Sequence, residues 1–200
     1  MTALEALGRD FCINFNGKQP MPFEIESFTA VRLVDVIVLS HKNRAPDEDP
    51  GAKLSIVAEM TNDCLAMFDG SLRSALYTKA GKAKQNEQGA LDGVDPVSDA
   101  PDLTGIGAHV KVLKWAQEMT GYSLEIDLGL GTKKSNLRID DCTVGGWRIY
   151  PKAGGTVTVK FNVESADVSE QAFGKLAKQK SREISMVLLG PSTTQQEIGA

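Results

Sequence analysis

Histidine and cysteine are scarce in this chain of 200 residues, which has two of the first and three of the second. His41 and His109 have no cysteine or carboxylate at ligand spacing, and Cys12, Cys64 and Cys142 are odd in number and far apart. That argues against a disulfide framework and against a structural zinc site. No nucleophile-elbow motif surrounds any serine, and no other catalytic signature is present. No apolar run approaches the roughly 20 residues needed to span a bilayer. Met1–Asp10 lacks the basic start and apolar core of a secretory leader. Excess positive charge is missing too: 22 Lys and Arg against 26 Asp and Glu leave a net charge of -4. Nucleic-acid contact would therefore need a local basic patch. The expectation is a non-catalytic protein with no metal, no cofactor and no membrane partner. It would be cytoplasmic, in the host cytoplasm if the chain is viral.

What is present is alternation. Thr156–Val163 places Val157, Val159, Phe161 and Val163 on one side of a strand and Thr156, Thr158, Lys160 and Asn162 on the other. A helical stretch, Ser169 to Lys180, follows, and then the apolar run Ile184–Leu189. The first half has a similar order: Leu54/Ile56/Ala58/Met60, a helical stretch from Asp69 to Lys79, and Val110–Trp115 after a long insert. Period-two alternation marks a half-buried strand, so both halves read as strand, helix, strand, and the order suggests an internal duplication. Val31–Leu39 is apolar on both faces apart from Arg32 and Asp35, which predicts a strand covered on both sides. A charged loop, His41–Gly51, then leads into a strand over Lys53–Asn62. Val110–Met119 and Tyr122–Leu128 read as a hairpin turning at Thr120-Gly121, and Asn136–Pro151 as strand with a bulge at Gly145-Gly146. The predicted fold class is α+β, a mainly antiparallel sheet with two short helices. One globular domain spans 1–190, with a long exposed insert at 79–108 and a frayed polar tail at 191–200.

Three constellations could carry function. Gly129, Gly131, Lys133 and Lys134 form a glycine-rich basic loop that could face phosphate, although the nucleotide-binding spacing is absent. The same residues also suit a plain turn. Lys175, Lys178 and Arg182 recur at helical spacing, either as a phosphate-facing stripe or as cations complementing a helix C-terminus. The insert is charge-segregated, with Asp92, Asp95, Asp99 and Asp102 at its distal end. Trp147 could stack on a base, as aromatics do in single-strand binders, or fill a β core. Glu125 and Asp127 share a strand face but lack the lysine two residues on that a nuclease site would need.

Gly121-Tyr122, Ser135-Asn136-Leu137, Asp141-Cys142, Pro151-Lys152-Ala153-Gly154-Gly155-Thr156-Val157 and Glu183-Ile184 carry a resemblance over residues 121–189. The stretch resembles small uncharacterised proteins of tailed bacteriophages, encoded in early regions beside recombination or replication genes. The resemblance implies a phage origin and a protein that is not an enzyme, and leaves the partner open. The leading expectation is a phage accessory binding protein that acts on single-stranded DNA or on the replication and recombination machinery. Lys133, Lys134, Lys175, Lys178 and Arg182, with Trp147, would form the contact surface. Two alternatives stand beside it. One is an anti-defence, anti-CRISPR-like inhibitor of a host protein, using Asp92, Asp95, Asp99 and Asp102 to mimic nucleic acid. The other is a virion or tail structural protein, which would form homo-oligomers through strand edges.

Overall fold

Alternation of apolar and polar side chains is realised here as nine described strands, six of which close on themselves. The structure, a computed structural model, describes residues 22–39, 50–78, 101–128 and 136–191. In chain order these are β1 (Ile25–Leu39), β2 (Gly51–Thr61), a 3-10 turn over Asn62–Met67, α1 (Leu72–Leu76), β3 (Tyr77–Thr78), β4 (Asp102–Leu103) and α2 (Gly105–His109). There follow β5 (Leu113–Trp115), β6 (Met119–Asp127), β7 (Leu137–Pro151), β8 (Thr156–Ser165), α3 (Glu170–Lys178) and β9 (Glu183–Leu189). Six strands neighbour one another in the order β7, β6, β9, β1, β2, β8, and β8 pairs back onto β7. Every one of these pairings is antiparallel, so the expected antiparallel sheet is in fact a closed barrel. Closure leaves the six strands no continuous unpaired edge and encloses one core.

Val157, Val159, Phe161 and Val163 are all 1% exposed or less, as the alternation predicts. Leu54, Ile56 and Ala58 of β2 face them, and Leu124 and Ile126 of β6 and Met186 and Leu188 of β9 complete the lining. The centre is aromatic. Trp147 stacks on Phe161 with centroids 5.2 Å apart, and Phe23 meets the edge of Trp147 at 4.8 Å. Phe68 closes the group at 5.1 Å from Trp147. Such pairs add about 0.5–1.5 kcal/mol each beyond the area they bury.

The two ends of the barrel are finished differently. At one, α3 links β8 to β9; Ser169 caps it by accepting from Ala172 N, and Leu176 is fully buried. Its exit is anchored to β1, where Ser181 N donates to Leu33 O at 2.7 Å and Lys180 pairs with Asp35 at 2.6 Å. At the other end, the Tyr77 hydroxyl lies 2.9 Å from Thr156 O and accepts from Lys152 N at 3.0 Å. That bond ties α1 and β3 to the β7–β8 turn.

Four expectations need correction. The helix expected over Asp69–Lys79 ends at Leu76, because burial of Tyr77 and its pairing with Leu103 draw the chain into extended backbone. The distal part of the exposed insert is structured: β4 pairs with β3, and α2 seats Gly107 against the Leu76 carbonyl. Residues 79–100 lie outside the described residues. Thr120-Gly121 is no hairpin turn, since β5 and β6 run in line along the same side of β7, and Gly121 (φ +79°) takes up an irregularity within β6. Finally, β1 is central in strand order but not covered on both faces, for Ile37 and Val38 are 44% and 45% exposed. The bulge at Gly145-Gly146 is present, with the β7–β8 register shifting between Gly145 and Arg148.

Candidate functional site

β7 and β8 carry an outward face as well as an inward one, and it is there that side chains with binding chemistry collect. Val159 and Phe161 point into the barrel, so Lys160 between them points out; Trp147 and Ile149 do the same for Arg148. Register then brings the cations together. Lys114 on β5 lies opposite Arg148 on β7, and Arg148 lies opposite Lys160 on β8. Three positive side chains thus occupy one row across three adjacent strands, whose backbones lie about 4.8 Å apart. Like charges placed directly across strands destabilise a sheet. Among the described residues no carboxylate forms an ion pair with any of the three.

The row borders a groove of about 530 Å³, whose wall includes Lys53, Ser55, Asn162 and the half-buried Trp115. The groove exists because the barrel wall is interrupted twice at the same level. β5 and β6 are separated by Ala116-Gln117-Glu118, and β7 bulges opposite them at Gly145-Gly146. Gly146 adopts φ +66°, and a Cβ there would stand 2.5 Å from Asn162 Nδ2, so a larger residue would be strained and would have to move the Asn162 amide. Ser55 Oγ donates to Asn162 Oδ1 at 2.9 Å, and Lys53 pairs with Glu164 at 2.7 Å. A smaller recess of about 90 Å³ continues the groove past Gly146 toward Glu118 and Glu164.

Of the residues expected to form the contact surface, the described ones do not meet here. Trp147 is 1% exposed, enclosed by Phe23, Phe68 and Phe161, with Nε1 donating to Gln117 O at 2.8 Å. Its ring has no free face for a base, which corrects the stacking role given to it. Trp115 is the tryptophan that lines the groove. Lys175 and Lys178 are exposed on α3, and Arg182 is exposed in the turn entering β9. That turn is bonded to β1, and the β9–β1 seam stands opposite the β8–β7 seam in the six-strand ring. Lys133 and Lys134 lie outside the described residues, as do Asp92, Asp95 and Asp99; Asp102 is exposed in β4. The missed cations share a sequence signal, each being a single cation between two apolar residues: Leu113-Lys114-Trp115, Trp147-Arg148-Ile149 and Val159-Lys160-Phe161.

Other reactive groups are held inert. Burial, followed by the neighbouring Asp63, pushes the Cys64 thiol up to about 12; burial and then Asp140 raise Cys142 to about 12. Neither is available as a thiolate nucleophile near neutral pH. Among the described residues, no three His, Cys, Asp or Glu side chains are grouped to hold a metal ion, and no helix is long and apolar enough to cross a membrane. Compared with known proteins, the chain matches no family model, no curated protein and no solved structure.

Proposed function

We propose that this is a non-catalytic accessory protein that binds single-stranded DNA, or a replication or recombination complex assembled on it, through the groove over β7 and β8. The observation that carries the reading is the row Lys114–Arg148–Lys160, which costs stability and has no ion-pairing carboxylate among the described residues. A line of unneutralised cations suits the phosphates of a nucleic-acid backbone, and Trp115 beside it offers an aromatic surface to a base. A single strand suits such a face better than a duplex, because only unpaired bases can turn toward an indole. The role agrees with the resemblance to bacteriophage early-region proteins. The same reading takes β2 and β8 as the first strands of the two duplicated units; they pair from Ala52–Ser165 to Thr61–Thr156.

Fluorescence anisotropy of labelled oligo(dT) against salt tests the proposal. Three phosphate contacts predict a log–log slope near -2 and a loss of roughly 20-fold between about 50 and 200 mM salt. The combined variant Lys114→Ala, Arg148→Ala, Lys160→Ala should flatten that dependence, whereas Lys175→Ala with Lys178→Ala should leave it unchanged. No binding at low salt, or binding indifferent to the triple change, would remove the DNA reading. The anti-defence reading would then be tested by charge reversal at Asp92, Asp95, Asp99 and Asp102.

A further inference from the structure

We infer that the Glu118–Asn162 end of the groove reads one base of the bound strand and prefers guanine. The inference rests on the groove being a single-strand site and concerns what it selects there.

Two polar groups converge over the glycine bulge. The Glu118 side chain lies across Gly145, so close that a Cβ there would be 2.8 Å from its Cγ. Asn162 Nδ2 lies across Gly146 in the same way. Their states differ. Glu164, also at this end, is held by Lys53, but Glu118 makes no hydrogen bond or ion pair among the described residues. Asn162 has its carbonyl oxygen engaged by Ser55, which orients the amide and leaves Nδ2 to donate. The recess therefore presents the two oxygens of one carboxyl group and one fixed donor, next to Trp115 and the cation row.

Every base places a donor beside an acceptor on its pairing edge, so each could meet part of this set. Guanine alone offers two parallel donors, N1–H and the 2-amino group, to a carboxylate, with O6 beside them to accept from an amide. A bidentate contact of this type discriminates against other bases. The glycines matter for the same reason, since a side chain at 145 would displace Glu118 and one at 146 would displace the Asn162 amide.

The test compares oligo(dT) carrying one central dG with the same strand carrying dA, dC or deoxyinosine in its place, by anisotropy at fixed low salt. The dG strand should bind about 10-fold more tightly than plain oligo(dT), and deoxyinosine, lacking the 2-amino group, should lose most of that gain. Glu118→Gln should abolish the preference, whereas Lys175→Ala with Lys178→Ala, away from the groove, should keep it. Asn162→Ala should weaken the preference too. Equal binding of all strands, or a preference that survives Glu118→Gln, overturns the inference while the groove stands. Failure of oligo(dT) itself to bind overturns both.

Discussion

Phe161 and Lys160 are neighbours in sequence on opposite sides of the barrel wall, and replacing each by alanine separates core from surface at one point in the chain. Phe161 is fully buried, stacked on Trp147 at 5.2 Å and edge-on to Phe23 at 5.6 Å. Phe-to-Ala changes in such sites cost about 3–5 kcal/mol, the upper part where the surroundings cannot collapse. A closed ring of hydrogen-bonded strands cannot collapse easily, so about 4–5 kcal/mol is expected. With a urea m-value of about 2–3 kcal/mol per molar, the unfolding midpoint should fall by roughly 1.3–2.5 M. Lys160→Ala removes one of two cations facing each other across β7 and β8, which offsets the lost strand propensity. Its stability should stay within about 0.5 kcal/mol of the parent. Binding should show the reverse order, with Lys160→Ala weakened toward oligo(dT) and folded Phe161→Ala close to the parent. Equal shifts in the two urea curves would refute the inward and outward assignment of β8, and with it the groove.

Gly146→Ala should destabilise by at least about 1–2 kcal/mol, through its left-handed backbone and the approach of Asn162, read as a lower urea midpoint. Tyr77→Phe removes the hydroxyl that bonds Lys152 and Thr156, and should cost about 1–2 kcal/mol by the same measurement. Cys64 and Cys142 should resist a thiol reagent in the native protein at mildly alkaline pH and react once urea unfolds it. The same two thiols set an alkaline limit. Unfolded thiols lose their protons near 9 while the folded ones keep theirs to about 12, so stability is full below pH 9 and declines as pH rises from 9 toward 12. Denaturation curves across that range should flatten in a Cys64→Ala, Cys142→Ala variant.

Much of the barrel wall is legible in the sequence because strand burial has period two. Val157 to Val163 and Leu54 to Ala58 mark their own inward faces, and Gly145-Gly146 marks its own bulge. Closure is not legible, because it depends on which distant strands meet: β9 enters between β6 and β1, and nothing local in Ile184–Leu189 encodes those partners. Gly121 was misleading for a related reason, since a glycine at positive φ serves an irregular strand as well as a turn. The groove was hidden by the same non-locality. Lys114, Arg148 and Lys160 are neighbours only through register, whereas Lys175 and Lys178 look grouped because helical spacing brings them together within a few residues.

The position of β9 also sets an order of events during synthesis. β1 emerges early and finds β2 at once, but its other flank waits for residues 183–188. β6 waits for the same strand. Until β9 arrives, two long apolar-lined flanks stay open on the nascent chain, ready to pair with any extended segment nearby. A chain cut short before residue 183 would therefore present an adhesive half-closed sheet, and only a chain whose residues 183–189 have emerged can seal the ring with its last described strand. The yield of soluble protein should thus depend on elongation through the α3–β9 segment more than on the intrinsic stability of the finished barrel.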